Sequence, residues 1–140
     1  MPVPPDYKRA SPDFEKLLVD ARDIAGLQTT NQAYTMVQGV LLAFRRRLST
    51  HQALRFADVL PPVLRAIFVA DWDIDAPPLP FGDRAAMTRE VQALRPDHNL
   101  SPDSSIGDVA AALRRNVDEA ALDRVLATLP PGAADFWRPD

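Results

Sequence analysis

Two double prolines, Pro61-Pro62 and Pro130-Pro131, each preceded by a leucine, constrain this chain more than any other feature. Proline has no amide N–H to give to a helix and fixes φ near the helical value, so it stops an incoming helix yet suits the first turn of the next. Each Leu-Pro-Pro is therefore expected to form a corner between two helices. Around these corners the sequence reads as one helical unit written twice. Leu129 stands 69 residues after Leu60, and the same shift aligns Val40 with Val109, Ala43 with Ala112, Arg45-Arg46 with Arg114-Arg115, Ser49 with Asp118 and Phe68 with Trp137. The first helices need a shift of 70, which sets Leu17, Ala21 and Ile24 against Met87, Val91 and Leu94. Helical modules of this kind cannot bury their apolar faces alone. Two units are expected to pack face to face about a pseudo-two-fold axis.

In chain order, residues 1–10 carry three prolines and no apolar period, and are expected to be a mobile lead-in. Ser11-Pro12-Asp13 has the form of a cap, a proline at the first helical position and an acid in the first turn, and Phe14, Leu17, Leu18 and Ala21 follow at helical spacing up to Gly26. Thr29 with Gln32 forms a capping box ahead of the longest stripe, Ala33, Val37, Val40, Leu41, Phe44 and Leu48, which runs into Arg45, Arg46 and Arg47. Ser49 with Gln52 is a second capping box, opening a short helix to Leu60; beyond the prolines, Val63, Leu64, Ile67 and Phe68 again share a face. Residues 73–82 hold three prolines and read as a linker. The second unit repeats the order: Met87, Val91 and Leu94 before Arg95-Pro96, a start at Ser101-Pro102, a stripe from Ile106 to Val117, a cap at Asp118, and a last short helix with Phe136 and Trp137. The expected fold is all-α: one helical domain over residues 1–140, a bundle of two pseudo-symmetric four-helix repeats, 11–72 and 83–140, each with a Leu-Pro-Pro corner.

Sixteen basic against nineteen acidic residues leave a charge of −3, which argues against a broad nucleic-acid footprint. With no cysteine there is no disulfide framework and no thiolate for chemistry or metal. The N-terminus lacks a signal-peptide pattern and no apolar run is long enough to span a bilayer, so a cytoplasmic protein is expected.

The arginine-rich end of the long helix, Arg45-Arg46-Arg47-Leu48, the spacing from Ser49 to Leu60-Pro61-Pro62-Val63-Leu64-Arg65, the aromatics Phe68 and Trp72, and a second copy ending in Leu129-Pro130 and Phe136-Trp137 occur together. In this the chain resembles, from about residue 14 to residue 137, the bacterial family catalogued as domain of unknown function 2267. The resemblance implies an all-helical fold and brings no activity or catalytic residue with it. The second copy departs from the pattern, with Asn116 where the first has Arg47 and no Glu or Gln three residues after Asp118.

Few residues invite chemistry. Asp71, Asp73 and Asp75 alternate as at the start of a calcium loop, but Ala76 stands where the loop needs glycine and Gly82 where it needs glutamate, so no metal is assigned. His51 and His98 are not at ligand spacing, and no nucleophile motif accompanies them. Arg45, Arg46, Arg47, Arg114 and Arg115 are the candidate ligand-binding residues: brought together they would form a basic patch for an anionic or phosphorylated group. The plainer reading makes them helix-end charges paired with neighbouring acids. The expected function is a non-enzymatic interaction or scaffold module working with a protein partner or as a homo-oligomer, without a cofactor. An anion-binding protein using these arginines is the alternative, and an enzyme comes third.

Overall fold

The computed structural model describes all 140 residues as nine α-helices and one 3-10 turn, with no strand. The helices are α1 Pro5–Lys8, α2 Ala10–Ala25, α3 Thr30–Arg45, α4 Thr50–Ala57, α5 Pro62–Val69, α6 Arg84–Ala93, α7 Ser105–Arg114, α8 Glu119–Leu126 and α9 Ala133–Phe136. Both capping boxes form as their sequences require: Thr29 and Ser49 accept from the amides of Gln32 and Gln52, and the two glutamines accept from the cap amides. Gly26 closes α2 in the left-handed conformation, with φ at 72°. Asp118 accepts from the Ala121 amide at the start of α8.

Several boundaries differ from expectation, among them the end of α4 at Ala57, short of Leu60. The lead-in contains the short helix α1, which buries none of its residues. Helix α2 begins at Ala10, so Ser11 and Pro12 lie inside its first turn rather than ahead of it. Helix α7 begins at Ser105 and not after Ser101, whose N–H donates to Asn99 Oδ1 while its carbonyl accepts from Gln92. The backbone of Ser101 thus belongs to the preceding loop, and its buried hydroxyl caps no amide.

Packing exchanges the two halves of the chain. Helix α3 is covered by α6 and α7 by α2, while α3 meets α7 and α4 meets α8. Most of the remaining contacts come in matched pairs, α2 on α3 and α6 on α7, α3 on α5 and α7 on α9, α4 on α5 and α8 on α9; the packing of α2 on α5 has no such counterpart between α6 and α9. Gly39 on α3 lets α6 approach closely, since a Cβ there would lie 3.0 Å from the Val91 carbonyl oxygen. At the centre, Phe44 contacts Phe56, Phe136 and Trp137 at ring-centroid distances of 4.7, 5.0 and 5.4 Å, and Phe56 contacts Phe68 at 5.2 Å. Such tilted and edge-on pairs add to the burial of the rings themselves.

Phe81, from the segment before α6, joins this cluster against Phe44 and sits over Gly132 at the start of α9. Gly132 has φ of 100°, and a Cβ there would come within 2.6 Å of the Phe81 Cβ. A side chain would therefore meet both backbone strain and a collision. Gly132→Ala is expected to cost about 2–3 kcal/mol and to lower the denaturant midpoint; an unchanged midpoint would show that Phe81 is not held in this seat.

Candidate functional site

Three arginines stand where α3 runs out, and two follow at the end of α7. The structure does not gather them into one patch. Arg45 donates to the carbonyls of Phe68 and Ala70 at 2.9 and 2.8 Å, and its guanidinium lies 5.5 Å from the Trp72 ring. Its pKa is lowered by burial and by the neighbouring charge of Arg46, with Asp71 acting the other way. Arg46 is exposed and pairs with Glu90 at 3.3 Å. Arg47 has a side chain only 6% exposed; it donates to the Ala43 carbonyl and reaches Glu90 on α6 with both terminal nitrogens. Arg114 donates to the Trp137 carbonyl and to Asp123. The exposed side chain of Arg115 makes no hydrogen bond or ion pair within the chain. Four of the five are thus spent on carbonyl groups and carboxylates of the fold itself.

The α7 end has its own polar clamp. Asn116 donates to the Ala112 carbonyl at 2.7 Å and to Asp20 on α2 at 2.9 Å, and Lys16 donates to Asp20 at 2.8 Å. Burial alone would raise the Asp20 carboxyl, but the hydrogen bonds of Lys16 and Asn116, with the charges of Lys16 and Arg115, hold it below its ordinary value.

Beside this clamp opens a cleft of about 580 Å3. Its first wall is the start of the chain: Asp6 on α1, Arg9 at the junction, and Asp13 and Lys16 on α2. Its second wall is the α4–α5 connection, with Asp58, Val59, the Leu60-Pro61-Pro62 run and Arg65. Arg65 stiffens this wall by donating to the carbonyls of Ala57 at 3.1 Å, which also accepts from the Leu60 amide, and of Leu60 at 3.0 Å. The third wall is the α7–α8 junction, where Arg115 and Asp118 stand. A match to the family described as "Uncharacterized conserved protein (DUF2267)" spans residues 14–136, nearly all of what builds the core and the cleft lining apart from Asp6, Arg9 and Asp13. The chain belongs to the DUF2267 family. It matches no curated protein.

In this DUF2267 protein Arg45 and Arg46 line a different, smaller cavity of about 370 Å3, together with Trp72 and Leu79. Asp71 and Asp73 lie at its rim, and Asp73 accepts from the Asp75 amide at 3.1 Å in a local turn. Apart from Arg115, the charged residues of the larger cleft are not candidates on sequence grounds: Asp6 and Arg9 belong to the lead-in, and Asp13 and Lys16 to the polar face of a helix. Asp58 and Arg65 flank a double proline, and nothing in their spacing tells that the corner opens to a cavity. No helix of the chain is long and apolar enough to cross a membrane.

Glu90 offers a direct test of the arginine clamp. Burial would raise its carboxyl, yet the hydrogen bonds and charges of Arg47 and Arg46 hold it below its ordinary value. A depressed folded pKa means stabilisation that is present above the unfolded value and is lost as pH falls through the folded one. Glu90→Gln is expected to cost about 1.5–3 kcal/mol at neutral pH. Its deficit against the natural chain should shrink as pH falls from about 5 to about 3; a deficit constant with pH in thermal melts would remove the ion pair from the account.

Proposed function

We propose that this protein is a non-enzymatic interaction module, a single domain of two four-helix units, 11–72 and 83–140, joined by the segment 73–82, each unit turning at a Leu-Pro-Pro corner. The duplication draws its support from polar bonds that recur at the sequence shift. Arg45 bonds the Phe68 carbonyl and Arg114 the Trp137 carbonyl, and each residue of the second pair stands 69 positions after its counterpart. Arg47 bonds the Ala43 carbonyl and Glu90, whereas Asn116 bonds the Ala112 carbonyl and Asp20. Glu90 stands 70 residues after Asp20, the shift of the first helices.

The observation that carries the functional reading is the cleft at the first corner. It is open, lined by charged groups from three parts of the chain, and close to the N-terminal segment. Open, polar concavities of this kind suit the recognition of another molecule's surface rather than the enclosure of a reacting one. A cytoplasmic setting and a protein partner belong to this reading. A second reading, an anionic or phosphorylated ligand held by the helix-end arginines, is supported by Arg115, whose guanidinium has no internal partner.

A photo-crosslinking residue at Asp58 is expected to give a discrete adduct in host cells that Arg115→Glu weakens, and one at the exposed Gln28 is expected to give none. Equal, diffuse labelling from both positions would set the interaction reading aside. For the corners, Pro61→Ala with Pro62→Ala is expected to lower the melting temperature by several degrees through loosened packing of Phe68, an effect of about 1–2 kcal/mol. Unchanged cooperative melting would show that the prolines do not organise the turn.

A further inference from the structure

The cleft at the first corner has a charge pattern that bears on what would fill it. Along its first wall the residues Asp6, Arg9, Asp13 and Lys16 face the cavity at helical spacing, three and four residues apart, and their signs alternate. Each of the other walls also carries both signs: Asp58 with Arg65, and Arg115 with Asp118. Several of these groups are not satisfied within the chain. Asp6, Asp58 and Arg115 make no ion pair, and Arg9 meets Asp13 only at 3.9 Å with both side chains largely in water. Lys16, by contrast, is already committed to Asp20 and Asn116.

A phosphate or a polyanion entering this space would find Arg115, but it would also find a carboxylate on every wall, and like charges brought together oppose binding. A polycation meets the reverse difficulty. Resting on the interaction reading above, we propose that the occupant is a helical peptide segment of a partner protein whose basic and acidic side chains alternate at three- and four-residue intervals. Residues so spaced lie on one face of a helix about 5–6 Å apart. They would run opposite the same spacing on the first wall: a cation against Asp6, an anion against Arg9, a cation against Asp13. An acid on the segment's flank would meet Arg115, and a base would meet Asp58. Val59, Pro61 and Pro62 supply the apolar floor. Because the contacts lie in an open cleft, the charges would set register and specificity more than affinity, and binding would weaken steeply with salt.

The test uses the full chain, amide NMR and three probes: a helical peptide with Lys and Glu alternating at this spacing, a peptide of the same composition with its charges in two blocks, and inorganic polyphosphate. The alternating peptide is expected to shift the amides of Asp13, Asp58 and Arg115, with affinity falling at least tenfold between about 50 and about 500 mM salt. Arg115→Glu is expected to weaken it about tenfold, and replacing the facing glutamate of the peptide by lysine should restore binding. Equal or tighter binding of the block peptide or of polyphosphate, no shift of the cleft amides, or failure of the charge exchange to rescue would each overturn the proposal. If the Asp58 crosslink persists while the alternating peptide fails, the partner chemistry is wrong and the interaction reading stands. Loss of both removes the two together.

Discussion

Each long helix is covered by the first helix of the other half, and the remaining architecture is arranged around that exchange. The Arg47 guanidinium, just past the end of α3, lies almost wholly inside, held between the Ala43 carbonyl of α3 and Glu90 on α6. A charge withdrawn from water in this way costs several kcal/mol unless it is met. Helix α6 cannot slide or leave without stranding it. The pair therefore contributes less as net stability than as a fixed register between α3 and α6, next to the close approach at Gly39. On the α7 side a neutral amide, Asn116, performs the same task towards Asp20 with less at stake, since an unsatisfied amide costs far less than an unsatisfied cation.

The apolar order of the fold was legible because it rests on local rules. The two capping boxes, the glycine stop at Gly26 and the stripes of α3 and α7 follow from side-chain spacing and need no knowledge of the partner element. Boundaries differ where loop bonds hold the backbone out of the helix that local rules would start. Ser101 is the clear case: its amide and carbonyl are tied to Asn99 and Gln92, its hydroxyl caps nothing, and α7 starts at Ser105. The helix-end arginines were legible as a group but not as individuals. Arg45 and Arg46 are adjacent in sequence, yet one clamps backbone carbonyls and the other reaches Glu90 from the surface. Rotation by one residue on a helix decides this, and only the packed neighbours say which direction is inward. Arg65 was illegible for a similar reason: it bonds the carbonyls of Ala57, where α4 ends, and of Leu60, and only the turn of the chain at the double proline brings it back to them.

On the duplicated reading the two corners differ in what fills them, and that difference is written in single residues. At the second corner Gly132 leaves room for Phe81, whose ring is continuous with the core and leaves only a smaller cavity of about 220 Å3 beside Pro131. The positions that correspond at the first corner are Val63 and Ser11, a branched side chain where the glycine stood and a small polar one where the ring stood. Val63 denies a ring its seat, and Ser11 offers none. The space beside Pro61 and Pro62 therefore stays open and is lined by charged side chains from α1, α2 and the α7–α8 junction. Packing demands explain a corner narrowed by an aromatic ring; they do not explain one left as a charged cleft of about 580 Å3. Burying apolar surface is worth about 25 cal/mol per Å2, so closing the first corner with an aromatic residue would have stabilised the fold. Its openness is the feature for which stability offers no account, and it is where the interaction reading finds its ground.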